Sequence, residues 1–210
     1  DVLQFALKLE YLESEFYTRG VAASGLIDSA DMTIFQTISA HESAHVTALK
    51  SLIMGKSATP NPKPTFDFTA HGAVTFSFAA GQYETFKALA QAFEDTGVRA
   101  YKGQAPRRVN DRAVLTAALT IHSIEARHAS EVRRLRGLKG WITSNSRDDL
   151  PAFTQGIYDG EDNVMQGPVD VGMRSLTASN GGTAAATQAF DEPLTKAQVT
   201  AIVMPFIASA

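Results

Sequence analysis

The chain carries one short motif twice, a glutamate followed three positions later by a histidine. The two copies are Glu42-Ser-Ala-His45 and Glu125-Ala-Arg-His128. Residues three apart lie on one face of an α-helix, so each copy directs a carboxylate and an imidazole toward the same point. Apolar residues flank both copies at helical spacing, which predicts that the motifs face the core. Because a buried carboxylate is costly unless it is paired or bound to a cation, the motifs predict a metal centre.

The two motifs are the second parts of a longer internal repeat. Glu10 stands seven residues before Tyr17, and Glu94 stands seven residues before Tyr101. Glu42 follows Glu10 by 32 residues, and Glu125 follows Glu94 by 31 residues. Such a repeat indicates two helix hairpins related by a pseudo-twofold axis, each giving one carboxylate and one Glu-x-x-His motif to a shared centre.

The ligand on the first helix has two candidates. Glu13 lies closer than Glu10 to the middle of the apolar arc of this helix, whereas the repeat selects Glu10. We rank Glu10 first because the helix is apolar over a wide arc, and we keep Glu13 as the alternative. Tyr17 and Tyr101 either hydrogen-bond the ligands and transfer electrons or are ordinary core tyrosines.

Two further histidines lie close to the motifs in sequence. His41 directly precedes the first glutamate, and His122 lies three residues before the second. We expect them to support the ligands or to lie at the surface, and we do not assign them as ligands.

Apolar periodicity predicts four long helices to position these residues. They run from Val2 to near Gly20, from a cap at Asp28 or Ser29 to near Gly55, from about Gln82 to Tyr101, and from a cap at Asn110 or Asp111 to about Arg136. Prolines 60, 62 and 64 disfavour a helix between the second and third long helices, so we predict a long connection that crosses the bundle. Residues 1–140 are therefore predicted to form an all-α four-helix bundle.

Residues 141–210 have a different composition and are predicted to be an extension. They are rich in Gly, Asp, Asn, Ser and Thr, which favours loops. A short terminal helix is predicted at about 195–207, capped by Thr195 and kinked or ended by Pro205. Its apolar stripe is expected to dock on the bundle or on a neighbouring subunit, so the extension is a candidate for homo-oligomer or other assembly contacts.

Composition excludes several kinds of protein. The absence of cysteine rules out disulfides and thiolate ligands, so any metal must bind oxygen and nitrogen. A net charge of -3 and a pI near 6.0 give no basis for nucleic-acid binding. We interpret the basic clusters at 107–108 and 133–136 as solvated helix ends. The sequence contains no run of 18 apolar residues, so it gives no sign of a transmembrane segment. The chain shows no signal peptide, but it opens without Met, so that absence is uninformative.

The complete pattern resembles the ferritin-like carboxylate-bridged di-iron superfamily. The segments Leu9-Glu10-Tyr11-Leu12-Glu13, Glu94-Asp95-Thr96-Gly97-Val98 and Phe190-Asp191-Glu192-Pro193-Leu194-Thr195 are more closely similar to the ferritin-like domain family that includes desiccation-related proteins. The resemblance implies a ferritin-like four-helix bundle and an exported protein, in the periplasm, at the cell surface or outside the cell. It also implies that Glu42 and Glu125 bridge two metals, with Glu10 and Glu94 as terminal ligands.

The predicted donor set leads to two main hypotheses of function. Four carboxylates and two imidazoles suit two iron ions best, with manganese or zinc as possible occupants. The first hypothesis is a di-metal oxidoreductase of ferroxidase, peroxidase or catalase type that reacts with oxygen or peroxide in oxidative or desiccation stress. The second is a structural or assembly protein whose metals are structural or absent. Iron storage in a hollow cage is less favoured, because a close-packed shell would have to accommodate the extension.

Overall fold

The computed structural model describes residues 2–108, 110–174 and 181–208, and it confirms the predicted all-α bundle. The four long helices are α1 (Val2–Ala22), α2 (Met32–Gly55), α3 (Tyr83–Gln104) and α4 (Arg112–Leu135). α1 packs against α2 and α3 packs against α4, which gives two hairpins. The hairpins contact each other mainly through α1 with α3 and through α2 with α4.

The helix ends agree with the predicted positions to within a few residues, with one correction. α1 continues past Gly20 to Ala22, and α4 begins after Asp111, whose side chain accepts a hydrogen bond from the backbone N–H of Val114. α2 does not begin at Asp28 or Ser29 but follows Asp31, which makes no side-chain cap. The carboxylate of Asp31 instead accepts a 2.6 Å hydrogen bond from the hydroxyl of Tyr83, so a contact between hairpins replaces the local cap.

The connection between α2 and α3 is irregular and supplies part of the core, as the three prolines predicted. Its aromatic side chains pack over the middle of the bundle, where Phe68 lies 5.3 Å from Phe16 between ring centroids. Phe16 in turn stacks on Phe86 of α3 at 4.6 Å. Phe66 pairs with Ile207 in an isolated β-bridge, so the connection also holds the end of the described chain.

Beyond α4 the chain forms short elements joined by turns. They are a 3-10 helix (Ala152–Ile157), a two-stranded antiparallel ribbon of β1 (Met165–Gln166) and β2 (Val169–Asp170), α5 (Val171–Arg174), α6 (Gly182–Thr187) and α7 (Lys196–Val203), with a last 3-10 turn over Met204–Phe206. Thr195 forms a capping box with Gln198 at the start of α7. The α-helix ends before Pro205, four residues short of Ile207, and Phe206 is buried against Phe93 of the bundle.

The extension lies directly on α3 and is attached through buried polar groups. The guanidinium of Arg99 is 1% exposed and lies 2.7 Å from the carboxylate of Glu161. It also donates hydrogen bonds to the backbone carbonyls of Ile157, Asp159 and Glu192. A Cβ atom built on Gly103 would lie 1.9 Å from the carbonyl oxygen of Leu194, so only glycine allows the extension to approach α3 this closely.

One sequence interpretation is wrong at this surface. Arg133, which we placed in a solvated helix end, is 2% exposed and binds Asp95 at 2.7 Å. The hydroxyl of Tyr158 in the extension donates to the same carboxylate at 2.8 Å. The extension therefore buries the charges that α3 and α4 would otherwise present to water. The side chains of residues 107 and 108, the other basic cluster, lie outside the described residues. Within the described ranges, no helix has the length and apolar character needed to cross a membrane.

Candidate metal centre

All four long helices contribute to one buried cluster of acidic and imidazole side chains. Glu10 comes from α1, Glu94 from α3, and the two Glu-x-x-His motifs come from α2 and α4. The four glutamates are fully buried at 0% exposure, and His45 and His128 are 8% and 5% exposed. The structure thus brings together the six residues that the sequence predicted to be ligands.

These side chains form two overlapping groups, each of which could hold a metal ion. The first group is Glu10, Glu42, His45 and Glu125, and the second is Glu42, Glu94, Glu125 and His128. Within each group one donor atom per residue lies within 4.8 Å of the others. Glu42 and Glu125 belong to both groups, which is the arrangement required of carboxylates that bridge two ions.

Both histidines direct the same ring nitrogen into the cluster. Nδ1 of His45 lies 3.1 Å from Oε2 of Glu10, 3.1 Å from Oε1 of Glu125 and 3.3 Å from Oε2 of Glu42. Nδ1 of His128 lies 2.9 Å from Oε1 of Glu42 and 3.5 Å from a carboxylate oxygen of Glu94 and of Glu125. Each Nδ1 therefore points at three carboxylates, as a ligand atom on a shared ion would.

Several of these buried atoms have no hydrogen-bond partner among the described residues. They are Oε1 of Glu42, Oε2 of Glu94, both carboxylate oxygens of Glu125 and Nδ1 of His128. The contact of 2.9 Å between His128 and Glu42 is short, yet it lacks the alignment of a hydrogen bond. Unpaired buried donor and acceptor atoms are destabilising. Cations between them would satisfy these atoms, so the donor set fits two metal ions.

The electrostatics of the cluster favour the binding of positive charge. Burial raises the pKa of Glu10 and Glu94, and repulsion from Glu125 raises both further. Burial lowers the pKa of His45, but attraction to the nearby carboxylates of Glu10, Glu125 and Glu42 outweighs burial and raises this pKa to about 12. Without metal, the imidazoles carry protons that partly neutralise the carboxylates. Four carboxylates would balance two divalent ions without those protons.

Two tyrosines connect the halves of the cluster. The hydroxyl of Tyr17 on α1 donates a 2.6 Å hydrogen bond to Glu94 on α3, and the hydroxyl of Tyr101 on α3 donates a short one to Glu10 on α1. Each tyrosine therefore contacts the glutamate of the other hairpin. The two bonds follow the pseudo-twofold relation that the repeat predicted, and both hold a candidate terminal ligand in place.

The remaining residues that we considered lie around the cluster. Nδ1 of His41 is 3.0 Å from Nε2 of His128, and the two rings are parallel to within 12°. His122 belongs to neither metal-binding group. Glu13, our alternative to Glu10, is 2% exposed but also belongs to neither group. Sequence reasoning overlooked Gly97, which lies against Glu13 and Glu125, although the repeat places this glycine opposite Glu13.

A four-helix bundle with a duplicated carboxylate and histidine cluster defines the ferritin-like class. The family model described as "Ferritin-like domain" matches residues 1–138, and the chain belongs to that family. The match covers all four long helices and every predicted ligand. A comparison with curated proteins finds no significant match.

Proposed function

We propose that this chain is a di-metal oxidoreductase whose centre reacts with oxygen or peroxide. The observation that carries the proposal is the sharing of Glu42 and Glu125 by both metal-binding groups. Carboxylates shared in this way would hold two ions close together, and two Fe(II) or Mn(II) ions would together supply the two electrons needed to reduce oxygen or peroxide. Iron is our first choice of metal and manganese the second. Zinc is not redox-active and would not support this reaction.

The protein side chains have separable tasks in this proposal. The six ligands place the ions in a site closed to bulk water, since the four glutamates are fully buried. Tyr17 and Tyr101 orient Glu94 and Glu10 through their hydroxyl groups. Their position beside the ligands also suits them to pass electrons to the centre. For the biological role, we propose that the protein is exported and protects against oxidative or desiccation stress. This part of the proposal is based on the family resemblance alone.

The test is anaerobic loading of the apo protein with Fe(II), followed by addition of oxygen or peroxide. We expect two ions to bind per chain, and we expect oxidation of Fe(II) and consumption of the oxidant. Glu42→Ala and Glu125→Ala should abolish both activities, because each substitution removes a ligand of both ions. Glu84→Ala is a matched control, since the side chain of Glu84 is 83% exposed. Two bound ions that are inert to both oxidants would refute the oxidoreductase proposal.

A structural role for the metals is the second candidate, and one observation favours it. Each of the four long helices contributes a ligand, so bound ions would cross-link both hairpins. Metal loading would then raise the melting temperature without oxidant consumption. The alternative of assembly through the extension has less support, because the described extension packs against α3 of its own chain.

A further inference from the structure

A fifth acidic side chain reaches the candidate metal centre without belonging to either metal-binding group. Glu13 lies on α1, one helical turn after Glu10, and is 2% exposed. Its Oε2 atom has no hydrogen-bond partner among the described residues. A carboxyl group is costly to bury without a partner, so we expect a hydrogen-bond donor or a cation beside this oxygen.

The charges around Glu13 show that it faces the centre. Burial is the largest influence on its pKa and raises it well above the usual range. Repulsion follows, first from Glu125 and Glu42, the two shared carboxylates, and then from Glu10 and Glu94. Each of these influences raises the pKa of Glu13, whereas attraction to His45 lowers the pKa of Glu10 and attraction to His128 lowers that of Glu94.

The opposite helix has a gap that accommodates this side chain. A Cβ atom built on Gly97 of α3 would lie 3.2 Å from Oε1 of Glu13 and 3.6 Å from Cγ of Glu125. Glu13 and Glu125 therefore border the same space, and glycine keeps it open. The repeat that relates Glu10 to Glu94 also relates Glu13 to Gly97, so one half of the pseudo-symmetric pair carries an acid where the other half has no side chain.

Glu13 also borders a small cavity, which is bounded by Gly97, Thr96 and Val203 of α7. Its volume of about 10 Å³ is just enough for one water molecule, so the packing against Glu13 is not complete on this side.

We propose that Glu13 is a seventh ligand of the di-metal centre, binding one of the ions as a fifth carboxylate on the side of Glu125 and Gly97. This inference rests on the proposed di-metal function. It makes Glu13 a ligand in addition to Glu10, whereas the sequence analysis treated the two as alternatives. A fifth carboxylate makes the two ions inequivalent, because the opposite half of the centre has glycine at this position. It also gives the centre one more negative charge than two divalent ions require.

The test is a titration of the apo protein with Co²⁺. Calorimetry measures the affinities, and the visible absorption spectrum of the bound cobalt reports its coordination number. The wild-type protein should bind two ions. Glu13→Gln retains the shape of the side chain and should weaken one of the two by at least about tenfold, with a change in the cobalt spectrum. Glu15→Gln, on the same helix but half-buried at the surface, should match the wild type.

Gly97→Ala provides a second test that alters no ligand. The added methyl group should displace the Glu13 carboxylate and weaken Co²⁺ binding in the wild-type background, but not in the Glu13→Ala background, where that contact is gone. Gly55→Ala is the matched control, because nothing lies within 4 Å of its Cβ position. Circular dichroism of each apo variant checks that the bundle has folded.

The outcomes separate the two proposals. Two ions bound by Glu13→Gln with wild-type affinity and spectrum would refute Glu13 as a ligand and leave the di-metal function intact. An equal effect of Gly97→Ala with and without Glu13 would also refute it, because the methyl group would then act through Glu125. A folded wild-type protein that binds no Co²⁺ and no Fe(II) would refute both proposals.

Discussion

Tyr17 and Glu94 are 77 residues apart in the chain, yet their side chains meet at 2.6 Å in the buried centre of the bundle. The partner contact between Tyr101 and Glu10 spans 91 residues. Each bond joins α1 to α3, the two helices that bring one predicted terminal ligand each. The pair therefore couples the relative position of the hairpins to the geometry of the proposed metal site.

The first prediction concerns these two hydroxyl groups. Tyr17→Phe should weaken the ion bound by Glu94, and Tyr101→Phe the ion bound by Glu10, each by about 10- to 100-fold, because an orienting hydrogen bond is lost. Calorimetric titration with Co²⁺ measures the two affinities. Tyr83→Phe is the control, because it removes a 2.6 Å hydrogen bond to Asp31, which belongs to neither metal-binding group. This variant should leave both affinities unchanged. If all three variants bound both ions as tightly as the wild type does, Tyr17 and Tyr101 would only fill the core.

The Glu-x-x-His motifs could be recognised from the sequence because helical periodicity fixes which residues share a face. The choice between Glu10 and Glu13 could not be made in this way. Both lie on the buried side of α1, and which carboxylate converges with Glu42 and Glu125 depends on side-chain direction and on the neighbouring helices. The repeat supplied the missing information, since it relates Glu10 to Glu94. The structure places Glu10 in a metal-binding group, and the role of each ligand stays a prediction.

Arg133 illustrates what periodicity could not reveal. A basic cluster near a helix end is typical of a solvated surface, and nothing local distinguishes this arginine from Arg134. Its partner Asp95 lies 38 residues before it. Tyr158 of the extension, which donates to the same carboxylate, lies 25 residues after it. Long-range burial by an irregular segment leaves no periodic signal. For the same reason the polar attachment of the extension to α3 through Arg99 could not be predicted, although docking of its terminal helix was one of the expectations.

The second prediction concerns His41. Because His128 directs Nδ1 at the carboxylates, its Nε2–H can donate to Nδ1 of His41 at 3.0 Å and fix the ring. The corresponding position of the other half is Ile124, so only one of the two ions has this support. His41→Ala should weaken that ion by about 10- to 100-fold. His41→Gln, whose amide oxygen can accept the same hydrogen bond, should recover part of the loss in the Co²⁺ titration.

The control for His41 is His71→Ala in the connection, where the histidine is exposed and pairs only weakly with Asp67 at 3.5 Å. Its titration should match the wild type. If His41→Ala weakened both ions equally, the effect would come from general loosening of α2 and not from the orientation of His128.

The third prediction concerns the attachment of the extension. Arg99→Met would leave Glu161, at 0% exposure, without its cation, which should lower the free energy of unfolding by about 3–5 kcal/mol. The double variant with Glu161→Gln should recover part of that loss, because the uncompensated charge is removed. Urea unfolding of the apo protein measures both. Arg127→Met, on an exposed position of α4, should change the free energy of unfolding by no more than about 0.5 kcal/mol. A small effect of Arg99→Met would mean that contacts other than the Arg99–Glu161 pair hold the extension on α3.

The last prediction separates shared from unshared ligands by counting ions. Glu42 and Glu125 occur in both metal-binding groups, whereas Glu10 and Glu94 each occur in one. Glu125→Ala should therefore abolish tight binding of both ions. Glu10→Ala or Glu94→Ala should leave one ion bound, since all four residues of the other group, the shared pair included, remain unaltered. Elemental analysis after gel filtration gives the stoichiometry directly, and circular dichroism checks that each apo variant retains its helices. Loss of both ions in Glu10→Ala, with the helices intact, would mean that the sites fill only together. Retention of two ions in Glu125→Ala would mean that this carboxylate does not bridge them.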